Sequence, residues 1–278
     1  MINIVTALAC EANPIIQHYH LRKSALDGGF PVYGNETITL IISGMGKYAA
    51  ASAVGYLQAM SSQAANYVAG FATPHCWINV GIAGHKTMDL GTALLAHRVR
   101  DAAALQCFYP CFTFDLPCVT ADVISVAQAE TTYAHEAAYD MEALGFCAAA
   151  GRFSSFELIH CLKIVSDNQA TSHEHITKHV GEQLVGNQLL VIESLIHEIE
   201  KLQRATAPMD HIPEDYQLLT ERFRFTVTQK NQLKRLLQRW HVVETKKITE
   251  QLPIQDFKNA KHVLLGMELH LRSKVFIC

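Results

Sequence analysis

The chain has no long apolar run. No uninterrupted stretch in its 278 residues reaches the roughly 18 needed to cross a bilayer as a helix. Its start, Met1-Ile2-Asn3-Ile4-Val5, has no basic segment ahead of an apolar one, so it reads as a buried first strand rather than a secretion signal. Both absences lead us to expect a cytoplasmic protein with no membrane partner. Charge is scarce too: charged residues are 18% of the chain and the net charge is −3, which gives no electrostatic case for nucleic acid as a partner. The eight cysteines (Cys10, Cys76, Cys107, Cys111, Cys118, Cys147, Cys161 and Cys278) include no CxxC pair and read as reduced thiols. Lys47 follows Gly44-Met45-Gly46 without the spacing of a P-loop. At 49% hydrophobic, the chain has enough apolar material for a sizeable core and is not a disordered sequence.

Strand-like and helical segments alternate through the first two thirds. Residues 2–8 form an apolar run suited to a central parallel strand, and a helix over 14–21 follows, with Pro14 near its first turn. Residues 37–43 read as a second buried strand and 48–64 as an Ala-rich helix. Trp77 to Val80 form a third strand, closed by Gly81-Ile82-Ala83-Gly84. Strands are expected at 92–99, 118–126 and 162–166, and helices at 142–150 and 174–203. Such alternation predicts a three-layer α/β fold with a mainly parallel, mixed central sheet. Ligands then sit at the carboxyl ends of the strands, where Glu11, Gly44 to Lys47 and Asp167 fall. Beyond a two-proline linker (Ala207 to Pro213), Phe223 to Trp240 is basic and amphipathic, giving a domain over 1–204 and a small helical extension over 205–278.

Four segments share a pattern: Ala7-Leu8-Ala9-Cys10-Glu11-Ala12; Ser43-Gly44-Met45-Gly46-Lys47; Asn79-Val80-Gly81-Ile82-Ala83-Gly84; and the pair Asp140-Met141-Glu142-Ala143 and Ile164-Val165-Ser166-Asp167-Asn168. In this order they resemble the nucleoside phosphorylase superfamily, most closely the nucleosidases that hydrolyse methylthioadenosine and adenosylhomocysteine. The likeness covers residues 1–200. It implies a phosphorylase-like sheet, a nucleoside as small-molecule partner, no metal or other cofactor, and a homodimer.

The resemblance also implies roles. Asp167 matches the acid that protonates the leaving base, and Met141 and Glu142 match the residues that hold the ribose. Glu11 matches the acid that orients the attacking water. Ile124, Ser125 and Ser166 fall where the base is bound, and Gly44, Gly81, Ala83 and Gly84 where water or phosphate is held. The chemistry suits these types: glycosidic cleavage leaves a cationic sugar and an anionic base, which call for carboxylates at the sugar and a proton donor at the base. Each acid also has an ordinary use, Asp167 as a helix cap, Glu142 as a helix-start acid and Glu11 as a surface acid.

Two positions depart from the pattern. Ile82 replaces a hydroxyl residue between the glycines, and Ile124 stands where a stacking aromatic is usual, which weakens adenine specificity. No arginine follows Glu11. Arg98 and Arg100 match no phosphate motif, so water is expected as the acceptor, with phosphate as the alternative and a non-catalytic nucleoside sensor as the second alternative. The segment His173-Glu174-His175-Ile176-Thr177-Lys178-His179 has a spacing that would place His175 and His179 one helical turn apart, as in some zinc sites, but it reads as solvated surface.

Overall fold

The computed structural model describes residues 1–24, 28–64, 75–103, 106–210, 214–244 and 246–275. Contacts divide the chain into two compact units, one built on residues 1–66 and 74–205 and the other on the chain from Thr206 onward.

In the first unit the elements run β1 (Ile2–Thr6), α1 (Ala9–His18), β2 (Arg22–Lys23), β3 (Val32–Gly34), β4 (Ile38–Ile42), α2 (Lys47–Ala64), β5 (Cys76–His85), β6 (Ala93–Asp101), β7 (Cys107–Phe108), β8 (Val119–Ser125), β9 (Ala138–Asp140), α3 (Ala143–Ala150), β10 (Ile159–Asp167), α4 (Lys178–Gly186) and α5 (Leu189–Asp210). The sheet is mixed and organised around β5. One edge of β5 pairs in parallel with β1 through its first half and antiparallel with β9 at its end. The other edge pairs in parallel with β10. Because β10 pairs with β6, β6 with β8 and β8 with β9, these five strands close into a ring, and β1, β4, β3 and β2 extend from it as an arm. Every residue of β1 and β10 is buried, as expected of strands covered on both faces.

Two apolar layers flank the sheet. Ala50, Val54 and Leu57 of α2 and Phe146 and Ala150 of α3 pack with Val5, Trp77 and Val165 on one face. Ala12 and Ile15 of α1, Val185 of α4 and Ile192, Leu195 and Ile199 of α5 pack with Ile4, Ile78 and Ile164 on the other. This is the three-layer α/β architecture that the alternation predicts. Helices α2 and α3 meet at a glycine: a Cβ on Gly145 would fall 1.8 Å from the Lys47 carbonyl oxygen. That close approach holds the start of α2 against the start of α3.

Several boundaries differ from the sequence reading. Helix α1 begins at Ala9, so Pro14 lies inside it rather than in its first turn. The earlier start is stabilised by Glu11, whose carboxylate reaches back to the free N–H groups of Ala7 and Leu8. Gly81 to Gly84 do not close β5 but lie within it. The helix expected over 174–203 is two helices, α4 and α5, and α5 continues through Pro208 to Asp210. The linker read there is therefore helical as far as it is described; Pro213 lies outside the described residues.

The second unit contains α6 (Glu214–Arg222), α7 (Val227–Val243), α8 (Ile248–Gln251) and α9 (Ala260–Val275). Leu233, Leu236, Leu237 and Trp240 of α7 are buried with Tyr216, Leu219, Ile248, Val263 and Met267. The apolar stripe of the amphipathic segment is thus used within its own unit, and Arg235 and Arg239 remain exposed. The Thr226 hydroxyl and the Gln229 side chain cap α7 reciprocally, and Trp240 stacks on His270 at 4.5 Å. No helix among the described residues is long and apolar enough to cross a membrane.

Candidate active site

Glu11 follows β1, Asp167 ends β10, and Glu142 follows the short strand β9, which pairs antiparallel with the end of β5. All three are buried, at 3%, 7% and 5% exposure, which removes the surface-acid reading of Glu11; Glu142 does start a helix, but is not exposed there.

Glu11 is held rigidly. Its Oε2 accepts from the N–H groups of Ala7 (2.9 Å) and Leu8 (2.8 Å), and its Oε1 accepts from Ile82 N–H (3.0 Å). Burial pushes its pKa upward, opposed by these donors and by the nearby Lys163 cation. The Gly81 position exists to let this happen: a Cβ there would stand 2.9 Å from Glu11 Oε1 and 3.5 Å from Lys163 Nζ.

Glu142 stands at the start of α3. Its Oε1 accepts from Gly46 N–H at 2.6 Å. Gly46, at φ +98°, and Gly44, at φ +82°, take the left-handed backbone that favours glycine. Burial pushes Glu142 up to about 7, with Asp140 and Glu11 adding to the effect and Lys163 and Gly46 N–H opposing it. The preceding Met141 is half-buried.

Below these acids lies a pair that the sequence reading did not single out. Lys163, in the middle of β10, is 1% exposed, and its Nζ is 2.7 Å from Asp140 Oδ2. Asp140 is otherwise saturated: it accepts from Ser125 Oγ (2.7 Å), Glu142 N–H (3.2 Å) and Ala143 N–H (2.7 Å), and so caps α3. Burial opposes a charge on Lys163, but Asp140 and Glu142 outweigh it and raise the pKa, so the residue is a fixed cation. A charged residue inside the apolar run Leu162-Lys163-Ile164-Val165 was the signal available in the sequence.

Asp167 ends β10. A register shift between Val165 and Asp167 turns it to face Gly84, as bulges beside functional sites do. Its Oδ1 accepts from Ser166 Oγ at 2.5 Å, and its Oδ2 accepts from the Tyr133 hydroxyl. A Cβ on Gly84 would collide with both Asp167 Oδ2 (2.5 Å) and Tyr133 Cε1 (2.8 Å). The two glycines of Gly81-Ile82-Ala83-Gly84 therefore make room for the two ends of one site, while Ala83 packs in the core.

The remaining expected site residues sit nearby in different settings. Ile124 is buried with Tyr133, Ala137 and Tyr139. Ser125 Oγ is engaged by Asp140 and Leu144 N–H, and Gly44 N–H by Ala7 O. Arg98 is paired with Asp122, and Lys47 with Asp101 at 3.0 Å. His175 lies in a short 3-10 turn and His179 in α4, with extended Ile176 and Thr177 between them, so the two do not share a helical face. Among the described residues, no group of three or more His, Cys, Asp or Glu side chains could hold a metal ion.

Chemically, the site offers two buried acids beside a fixed cation at one end and an acid with hydroxyl partners at the other. It can hold a polar group carrying developing positive charge and exchange a proton at a second point.

No protein-family model and no curated protein matches the chain. Solved structures do. One is the 5′-methylthioadenosine/S-adenosylhomocysteine nucleosidase of Helicobacter pylori with butyl-thio-DADMe-Immucillin-A (TM-score 0.54, 13% identity, 71% of this chain and 97% of that one). Another is the Neisseria meningitidis enzyme of the same name with methylthio-immucillin-A (0.53, 16%, 69% and 98%). A third is the apo 5′-methylthioadenosine nucleosidase of Arabidopsis thaliana (0.52, 14%, 73% and 95%). The fold of this chain is that of these nucleosidases.

Proposed function

We propose that the protein is a nucleosidase that hydrolyses the N-glycosidic bond of a purine ribonucleoside or of a 5′-substituted nucleoside. The convergence of Glu11, Glu142 and Asp167 over the two glycines of β5, on this fold, carries the reading. Glu142 and Met141 hold the ribose; the carboxylate accepts from its hydroxyls and gains strength as the sugar becomes cationic. Asp167 delivers a proton to the base. Glu11 orients the attacking water, and Lys163 holds the sugar-side acids in place.

Water is favoured over phosphate by the state of the donors. A phosphate dianion needs cations or several unused N–H groups, whereas Lys163, Arg98 and Lys47 are paired with carboxylates and the N–H groups of Gly44, Gly46 and Ile82 are occupied; the buried Nε of Arg100 has no partner, one donor where a dianion needs several. The test is incubation with a panel of nucleosides, with and without phosphate. Free base should appear equally in both; release only with phosphate would make the protein a phosphorylase, and tight binding without release would make it a sensor. We place it in the cytoplasm as a homodimer, and sedimentation showing monomer alone at working concentration would refute the dimer.

A further inference from the structure

Tyr133 stands apart from the segment that carries it. From Ala127 to Glu136, every other residue is exposed or half-buried, whereas Tyr133 is 3% exposed. It has a left-handed backbone at φ +46°, which is uncommon for a residue other than glycine. The turn leading into it is tied to itself: Glu130 Oε1 accepts from the N–H groups of Thr131 (3.0 Å), Thr132 (2.6 Å) and Tyr133 (3.3 Å). The segment thus presents one inward side chain on a local frame of its own.

That side chain ends on the acid. The phenol donates to Asp167 Oδ2 while Ser166 Oγ occupies Oδ1. The ring edge lies in the space that a side chain on Gly84 would fill. Its other neighbours are Ile124, Ala137 and Tyr139, the last at a ring distance of 5.8 Å and 81°. Ile124 is the position at which the sequence pattern puts contact with the base. The phenol thus covers the Oδ2 side of Asp167, where a ligand approaching over Gly84 would meet the acid.

We propose that Tyr133 occupies the base end of the site as an internal stand-in for the leaving group, and that a purine base must displace it to reach Asp167. This rests on the nucleosidase reading. The class of ligand follows from the contact: what replaces the phenol must be a flat ring with a polar edge able to bond a carboxyl group, as a purine ring nitrogen does. Displacement frees Oδ2, so that the acid becomes available only when a base is in place. Tyr133 is in this sense a specificity-determining residue: a sugar without an aromatic base leaves it seated.

Calorimetric titration with adenine separates the outcomes, using the wild type, Tyr133→Phe and Tyr133→Ala. Loss of a hydrogen bond to a carboxylate weakens the occupant by a factor of about 10 or more, so Tyr133→Phe should bind adenine about 10-fold tighter than the wild type. Phenylalanine keeps the ring, so folding is preserved. In the wild type, adenine should also speed hydrogen–deuterium exchange across residues 126–137. Equal or weaker binding by both variants, with exchange in that segment unchanged or slowed by adenine, would make Tyr133 a wall of the pocket and overturn the inference while leaving the nucleosidase reading intact. Absence of adenine binding in all three folded proteins, with no nucleoside cleaved, would overturn both.

Discussion

Asp167→Asn should lower the rate of base release by about 10²- to 10⁴-fold, the usual contribution of a positioned general acid, and leave nucleoside affinity within a few-fold. Asparagine keeps the size of the side chain; its carbonyl oxygen can accept from one of the Tyr133 and Ser166 hydroxyls and its amide group can donate to the other, so the pocket is retained. It cannot deliver a proton. The expected result is a fall in kcat with little change in dissociation constant, the pattern of an interaction made only in the transition state. If instead affinity collapses while the rate at saturation is kept, Asp167 is a binding residue and the acid lies elsewhere.

Lys163→Met should be the most destabilising single change at the site. It leaves Asp140, whose side chain is fully buried, without its cation. Removing one partner of a buried ion pair costs about 3–5 kcal/mol, which is on the order of 10 °C in melting temperature for a unit of this size. The low end applies here, because Asp140 keeps Ser125 Oγ and two backbone N–H donors. Removing both charges, in Lys163→Met with Asp140→Asn, should recover part of the loss. A single variant as stable as the wild type would show that the cation is not needed there.

The same substitution has a catalytic signature. Glu142 must be ionised to accept from the ribose hydroxyls, and burial sets it at about 7. A raised carboxyl pKa means that the ionised form accumulates only as pH rises through that value, so kcat/KM should climb with pH around 7. Lys163 pulls Glu142 downward; without it, the rising limb should move to higher pH in whatever Lys163→Met protein remains folded. A profile that is flat from pH 5 to 8 in the wild type would exclude Glu142 as the ionising sugar ligand.

The alternation of apolar strands and helices was legible because strands buried on both faces are near-continuous apolar runs, as Ile2–Thr6 and Ile159–Asp167 are. Glu11 and Asp167 were legible as acids at the ends of such runs, and Glu142 only through the segment Asp140-Met141-Glu142-Ala143 that carries the resemblance. Lys163 left a visible trace, a lysine amid Leu162, Ile164 and Val165, but its partner Asp140 is 23 positions earlier and joins it only through the sheet. Tyr133 left none: its segment has no periodicity, and its contact with Asp167 spans 34 positions. Gly81-Ile82-Ala83-Gly84 was misread as the close of the third strand, although it lies within β5. Glycine marks turns when it supplies unusual backbone angles, whereas here it supplies empty space for Glu11 and Lys163 at one end and Asp167 and Tyr133 at the other. The early start of α1 was hidden in the same way, because the capping acid, Glu11, is itself the site residue.

The most direct measurement is incubation of the protein with a panel of purine ribonucleosides, with and without a 5′ substituent, in ¹⁸O-labelled water, followed by mass spectrometry of the products. Hydrolysis assisted by Glu11 should give a free base and a sugar carrying one ¹⁸O at its anomeric carbon, with or without phosphate. Unchanged nucleoside after prolonged incubation, or an unlabelled sugar 1-phosphate, would contradict it.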